Sequence, residues 1–285
     1  MKALYDLQYW QPSYTVAIFL VVAEHERIKR GESKISVEVM PAPKHHVYKH
    51  WPSNFEQIQQ GIAHILKPMM TLLPSIQKVE YLEERTQVPN FVFQLGTKYT
   101  GGAYFKALSS GVRPLRSPRT LPFSRDPRLV TITLRECGSG HYETRDSDVP
   151  EWCMAAGMLE RHGYNVVIVR DTRFADRPLH ALKTSPEASW SLLSRARLYE
   201  QAALNLFVSN GPAWFAMALN VPLLLFRPTC ETANKSSRAA SMAAEGIVEG
   251  KQMERAVPHQ KLVWRADRSE NIVEEAMLFL RGSPC

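Results

Sequence analysis

The stretch LNLFVSNGPAWFAMALNVPLLLFRPT, residues 204–229, carries the turn with the clearest chemical meaning. An apolar run delivers Ser209-Asn210-Gly211-Pro212 directly into a helical pattern, and a second apolar run follows Asn220. Glycine permits a tight turn there, and proline suits a first helical position. The first N–H groups of a helix have no partner inside it, and the helix dipole adds positive potential at that end. Such a turn suits a phosphate or pyrophosphate, the other reading being an ordinary strand–turn–helix corner with no ligand. Charged pairs end two other apolar runs: Arg135-Glu136 and Arg170-Asp171. Arg145-Asp146 follows in a loop with Gly138, Ser139 and Gly140. In open α/β sheets, ligands bind beyond the carboxyl ends of the strands, which is where these pairs fall.

Other chemistries lack their residues. No H-E-x-x-H grouping occurs, and the histidines form no H-x₃-H set with cysteines, so a protein-held zinc is not expected. No G-x-x-x-x-G-K-S/T is present for P-loop phosphotransfer, and no G-x-S-x-G elbow for a hydrolase. Cys137, Cys153, Cys230 and Cys285 are widely spaced, which fits reduced thiols in a cytoplasmic protein better than a disulfide framework. The start, MKALYDLQYW, lacks the apolar core of a signal peptide, and the run from Val16 to Ala23 is far short of a membrane span.

The elements that must position these residues form an α/β series. Residues 2–9 read as a strand and Tyr14 to Arg30 as a helix, with Ser13 as N-cap and Gly31 just past its end. A strand over 34–42, a helix from Asn54 to Met70 and a strand from Ile76 to Leu82 follow. Prolines 89, 114, 118, 122 and 127 break the pattern from Gln87 to Arg128, which reads as connector and loop-rich surface. The rhythm restarts with strands at 129–136, 165–171, 204–210 and 221–228, and helices at 149–162, 187–203, 212–219 and 269–281. The expected architecture is α/β, with two Rossmann-like domains facing a cleft, divided into 1–125 and 126–285.

The 285 residues carry 35 Lys/Arg against 28 Asp/Glu, and the formal net charge is +7. Residues 1–125 hold 16 basic and 9 acidic side chains, so the whole excess sits in the first half. Residues 98–125 hold six of those bases and no acid, interleaved with Tyr99, Tyr104, Phe105 and Phe123. Such a segment suits an anionic partner: a glycan, a phosphorylated lipid, or a nucleic acid whose bases stack on the aromatics. Arg113, Arg116 and Arg119 are its candidate acceptor contacts.

The 204–229 stretch resembles the nucleotide-sugar-binding segment of heptosyltransferase-type glycosyltransferases, which have the GT-B fold. Those proteins typically show a strand, an Asn/Asp-Ser-Gly-Pro turn, a small-residue helix, and a strand ending in Phe-Gly-Pro-Thr. This chain has Ser209-Asn210-Gly211-Pro212 and Phe226-Arg227-Pro228-Thr229 at the matching places. It lacks the aspartate of the turn, has Trp214-Phe215 where a helix histidine is usual, and Arg227 where glycine is usual. VTITLRECGSGHYETRDSDVPEW resembles the opening strand and loop of the same nucleotide-binding domain in bacterial surface-polysaccharide proteins. The resemblance covers about 129–281 and, in outline, residues 1–90.

It implies a glycosyltransferase that moves a sugar from a nucleotide-diphosphate donor to a polyanionic or polysaccharide acceptor. Arg135 or Arg145 would hold the leaving diphosphate by bidentate hydrogen bonds, beside Glu136, Ser209, Asn210, Gly211 and Pro212, and Asp171 would take a ribose hydroxyl. No metal or other cofactor is expected, since amides and arginines can take the metal's role. The base near the acceptor hydroxyl would come from the first domain, with Asp6, His45 and His46 as strand-end candidates. The alternatives are a phage-type DNA-base glycosyltransferase, a non-catalytic GT-B-like binding protein, and a GT-B-fold sugar-nucleotide epimerase.

Overall fold

The computed structural model describes residues 1–43, 55–85, 89–96, 101–112, 115–117, 124–137, 146–226, 247–253 and 257–282. The chain divides into two compact units, Met1–Pro118 and Arg119–Cys285. Each is built on an all-parallel sheet flanked by helices, so the α/β expectation holds.

The first unit begins with β1 (Lys2–Asp6), α1 (Thr15–Lys29) and β2 (Ile35–Met40). A continuous helical stretch comes next: α2 (Phe55–Gly61), a π-helical turn (Ile62–Leu66) and α3 (Lys67–Met70). The strands β3 (Ile76–Tyr81) and β4 (Phe93–Gln94) and the helix α4 (Gly101–Ser109) complete it. The sheet order is β3-β2-β1-β4. Residues Val16 to Glu24 of α1 are all buried, as an apolar run without a polar face requires. Glu24 is the polar member of that run. Its carboxylate accepts from Arg27 Nε and Nη2 at 2.7 and 2.8 Å and from the Ser75 hydroxyl at 2.5 Å, which satisfies the buried charge.

Two expectations for this unit are corrected. Tyr14, not Ser13, is the N-cap of α1, and no side chain bonds the cap; the Ser13 hydroxyl lies 3.2 Å from the Thr15 hydroxyl and accepts from the Thr15 N–H at 3.5 Å. The loop-rich reading of 87–128 missed β4 and α4. Tyr104, Phe105, Ala107 and Leu108 of α4 are buried, because four apolar residues within one short helix gain more from the core than from water.

The second unit runs β5 (Asp126–Thr133), α5 (Val149–Arg161), β6 (Asn165–Val169), α6 (Pro186–Trp190), α7 (Leu192–Gln201), β7 (Ala202–Val208), α8 (Gly211–Ala218), β8 (Leu223–Phe226), β9 (Gln260–Val263) and α9 (Ser269–Gly282). Its sheet order is β6-β5-β7-β8-β9. The single helix read over 187–203 is two, broken at Ser191, whose hydroxyl caps α7 by accepting from Ser194 N–H. Strand β9 was not foreseen. Trp152 of α5 meets Phe226 of β8 edge to face at 5.5 Å within an aliphatic core.

A buried polar network fixes the register of the central strands. Thr131 of β5 donates to Asn205 of β7 at 2.6 Å, and the Asn205 amide donates to the carbonyls of Tyr199 and Pro222. The Tyr199 hydroxyl lies 2.7 Å from that of Thr133. Every polar group in this set has a partner, so the network specifies one alignment of β5, β7 and α7. No helix among the described residues is long and apolar enough to cross a membrane.

Candidate functional site

The carboxyl ends of β6, β5 and β7 lie side by side, and they bring together most of the described residues singled out in the second unit. At the end of β5, Glu136 is buried, and its carboxylate grips the Arg170 guanidinium side-on, at 3.0 Å from Nε and 2.5 Å from Nη2. Glu136 is therefore committed to a neighbour rather than presented to a ligand, which corrects its expected binding role. The hydrogen bonds that Arg170 donates to Glu136 raise its pKa further above its already high value.

Asp171, next along the chain, accepts the Glu136 N–H on Oδ2 at 2.6 Å. It does not cap the 3₁₀ turn Thr172–Phe174 with its side chain. Burial pushes its carboxyl above the usual carboxylate range, against the opposing pull of the Glu136 amide and of Arg135 and Arg195. Arg195, on α7, is buried and donates to the carbonyls of Ala188 and Ser189 at 2.7 and 3.4 Å. Its signal in the sequence, an arginine on the apolar face of a helix, is common and so was passed over. Arg135 pairs with Asp146 at 3.3 Å.

At the end of β7, Asn210 is extended and buried, and its side-chain oxygen accepts from Ala213 N–H at 3.0 Å. It is the N-cap of α8. Pro212 has no N–H and Asn210 takes that of Ala213, so Gly211 supplies the one first-turn amide left among the described residues. The expectation of several open amides is thereby narrowed to one N–H and the dipole of an eight-residue helix.

Asp146 and Asp148 stand at the D-x-D spacing that metal-dependent sugar transferases use, a pair left out of the metal-free expectation. Here Asp146 is joined to Arg135, and Asp148 is the N-cap of α5, accepting from Glu151 N–H at 3.4 Å. Among the described residues, no group of three or more His, Cys, Asp or Glu side chains is arranged to hold a metal.

In the first unit, Asp6 ends β1 and is 5% exposed. Arg85 donates to both of its oxygens, at 2.7 and 3.0 Å, and also to the Pro41 carbonyl and the Gln8 side chain. Gln8 N–H is the third donor to this carboxylate and the second to Oδ1, at 2.8 Å. Arg116 lies elsewhere. It borders a hollow of about 740 Å³ with Arg27, Gly31, Lys34 and Ser75, at the amino ends of β2 and β3. That is the opposite edge of the parallel sheet from Asp6. The two were expected to serve one acceptor, and the topology separates them. The aromatics Tyr104 and Phe105 are 0% and 3% exposed, so they offer no surface for stacking on bases. His45, His46, Arg113, Arg119, Arg145, Arg227, Pro228 and Thr229 lie outside the described residues.

No protein-family model matches the chain, and no curated protein does. Solved structures do. A glycosyl transferase family 9 protein from Veillonella parvula superposes with a TM-score of 0.56 at 11% identity, over 99% of this chain and 97% of that one. ADP-heptose lps heptosyltransferase II of E. coli superposes with a TM-score of 0.56 at 12% identity, over 99% of both chains. The fold is that of the GT-B glycosyltransferases. At such identities the likeness reaches the backbone and stops there. Within this GT-B chain the strand-end turn after β7 keeps its shape through Asn210, an adequate cap in place of the expected aspartate. The Trp214-Phe215 pair that replaces a histidine is divided: Phe215 is buried in the core and Trp214 is half-buried.

Proposed function

We propose that the protein transfers a sugar from a nucleotide-diphosphate donor to an acceptor hydroxyl, the second unit taking the donor and the first the acceptor. The observation that carries this reading is the start of α8. It lies at the carboxyl end of a central parallel strand, with Gly211 N–H open, in a chain that has the GT-B fold over its whole length. In the reaction, the acceptor oxygen forms a bond to the anomeric carbon as the carbon–oxygen bond to the diphosphate breaks. A base takes the hydroxyl proton and the diphosphate leaves as an anion. The Gly211 amide, the α8 dipole and the Ser209 hydroxyl stabilise that anion, with Arg135 or Arg145 adding charge, so no metal is required. The second oxygen of Asp171 accepts from a ribose hydroxyl.

Asp6 is the base of this reading, with His45 and His46 as the other strand-end candidates. Arg85 and Gln8 hold the Asp6 carboxylate in one orientation, and the single donor on Oδ2 leaves a lone pair for an incoming hydroxyl. The acceptor is an anionic glycan or phosphorylated lipid, in keeping with the basic first half. The DNA-base alternative rests on the fold and the basic first half, and the burial of Tyr104 and Phe105 takes away two of the aromatics that bases could stack on. A cytoplasmic setting keeps Cys137 and Cys153 as thiols.

Thermal-shift measurement against UDP-, GDP-, ADP- and CMP-sugars tests the donor site, with ADP-heptose a natural first member because the E. coli relative is named for it. One class of donor is expected to raise the melting temperature in a saturable way. Absence of stabilisation by all of them rules the donor site out.

A further inference from the structure

The segment after β6 carries a feature that neither the donor nor the acceptor reading uses. Phe174 has three guanidinium groups around its ring: Arg173 at 4.5 Å from the centroid, Arg177 at 5.0 Å and Arg170 at 5.2 Å. The three differ in their surroundings. Arg170 is buried and neutralised by Glu136, and it donates to the Arg177 carbonyl at 3.0 Å, which closes the loop from 170 to 177. Arg173 and Arg177 are exposed, and neither side chain makes a hydrogen bond or an ion pair with a described residue. Their cation–π contact with Phe174 uses none of their N–H donors.

The arrangement has an electrostatic cost. Like charges gathered around one ring repel each other, and the acid that compensates Arg170 is already spent. A bound anion offsets that repulsion. The chain also fixes the geometry beforehand: the Arg177 N–H donates to the Phe174 carbonyl at 3.0 Å, and the Phe174 N–H to the Asp171 carbonyl at 2.8 Å. Two exposed guanidiniums, positioned on one aromatic by a closed loop, suit an anion with several oxygens and more than one negative charge. We infer that Arg173 and Arg177, positioned by Phe174, form a binding site for a phosphate monoester at the carboxyl edge of the second unit's sheet. This site stands independently of the sugar-transfer reading. Its ligand is either a free phosphorylated sugar or a phosphate belonging to the nucleotide.

The test is calorimetric titration of the full chain with inorganic phosphate, a hexose phosphate and ADP, at ionic strength held constant with chloride. Arg173→Gln/Arg177→Gln is expected to weaken both phosphate and hexose phosphate by about 100-fold, since each lost guanidinium removes charge-assisted hydrogen bonds. Arg173→Lys/Arg177→Lys keeps the charge but loses the planar fork, and is expected to fall in between. Phe174→Leu, which leaves both arginines in place but unstacked, is expected to weaken binding by about 5-fold. Retained ADP affinity in the glutamine variant assigns the site to a separate phosphorylated sugar, and loss of ADP as well assigns it to the nucleotide's own phosphate. Equal phosphate affinity in wild type and the glutamine variant overturns the inference. So does the lack of saturable phosphate binding by the wild type up to about 10 mM. Failure of every nucleotide sugar in the thermal screen alongside intact phosphate binding would defeat the transfer reading and leave this site standing.

Discussion

Asp6 and Arg85 meet end-on, two parallel hydrogen bonds of 2.7 and 3.0 Å from Nη1 and Nη2 joining the end of β1 to the chain beyond β3. Because Arg85 also donates to Pro41 and Gln8, one guanidinium ties together the ends of three neighbouring strands and the turn that starts α1. Arg85→Leu is expected to cost about 2–3 kcal/mol in urea unfolding, since it strands a buried carboxylate and two further acceptors. Asp6→Asn should be milder in stability and, if Asp6 is the base, should lower turnover by about 10²–10⁴-fold with any accepted donor. Turnover within a few-fold of wild type in Asp6→Asn removes Asp6 from the chemistry and leaves it a brace.

The Glu136–Arg170 pair makes a different prediction, because both partners are buried. Arg170→Met is expected to destabilise by about 3–5 kcal/mol, the cost of leaving Glu136 charged and alone. The double change Glu136→Leu/Arg170→Met should recover much of that loss. A double-mutant cycle read by denaturant midpoint checks this, and simple additivity of the two single changes contradicts it.

The raised pKa of Asp171 fixes the sign of a pH effect. Its folded-state value lies above the unfolded one, so this group favours folding when protonated and loses that contribution as pH rises through the window between the two. Asp171→Asn, which keeps an acceptor for the Glu136 N–H, should therefore melt higher than wild type at pH 7. The gap should close as pH falls below the ordinary aspartate range. Melting curves from pH 3 upward supply the test, and a variant less stable at pH 7 than wild type contradicts it. The same substitution should weaken nucleotide-sugar binding, a trade of stability for function.

Gly61 makes a steric prediction. A Cβ there would stand 2.4 Å from the Pro12 carbonyl oxygen and 2.9 Å from the Pro12 ring, so the helix cannot approach the β1–α1 turn with any larger residue. Gly61→Ala is expected to destabilise by about 1–3 kcal/mol despite alanine's better helix propensity. A gain in stability would mean that the turn at Pro12 yields freely.

The sheets were legible because parallel strands buried on both faces read as short apolar runs, as NVVIV and LNLFV do. The strand-end turn at Ser209-Asn210-Gly211-Pro212 was legible because glycine and proline mark it. The fate of each charge was not. Glu136 and Asp171 are separated by 35 positions in the chain, and only the pairing of β5 with β6 puts one on the other's amide. Arg85 was invisible for the same reason, its partner Asp6 lying 79 residues away. Helix α4 was missed because a surrounding density of prolines and bases outweighed a nine-residue pattern, although its apolar side chains at 104, 105, 107 and 108 have helical spacing. Strand β9 is four residues long, too short to stand out from its polar flanks.

The π-helical turn Ile62–Leu66 holds one residue more than α-helical winding would place there. Each residue of an α-helix advances the side-chain direction by about 100°, so the extra one sets the phase with which Leu66, Met69 and Met70 meet the core. Excising a single residue inside this turn would wind it back to α-helix while sparing the phase of both flanks. The same excision within α1 would rotate half of a fully buried helix. The stretch from 62 to 66 is thus the place in the first unit's core where the chain can change length by one and still fold.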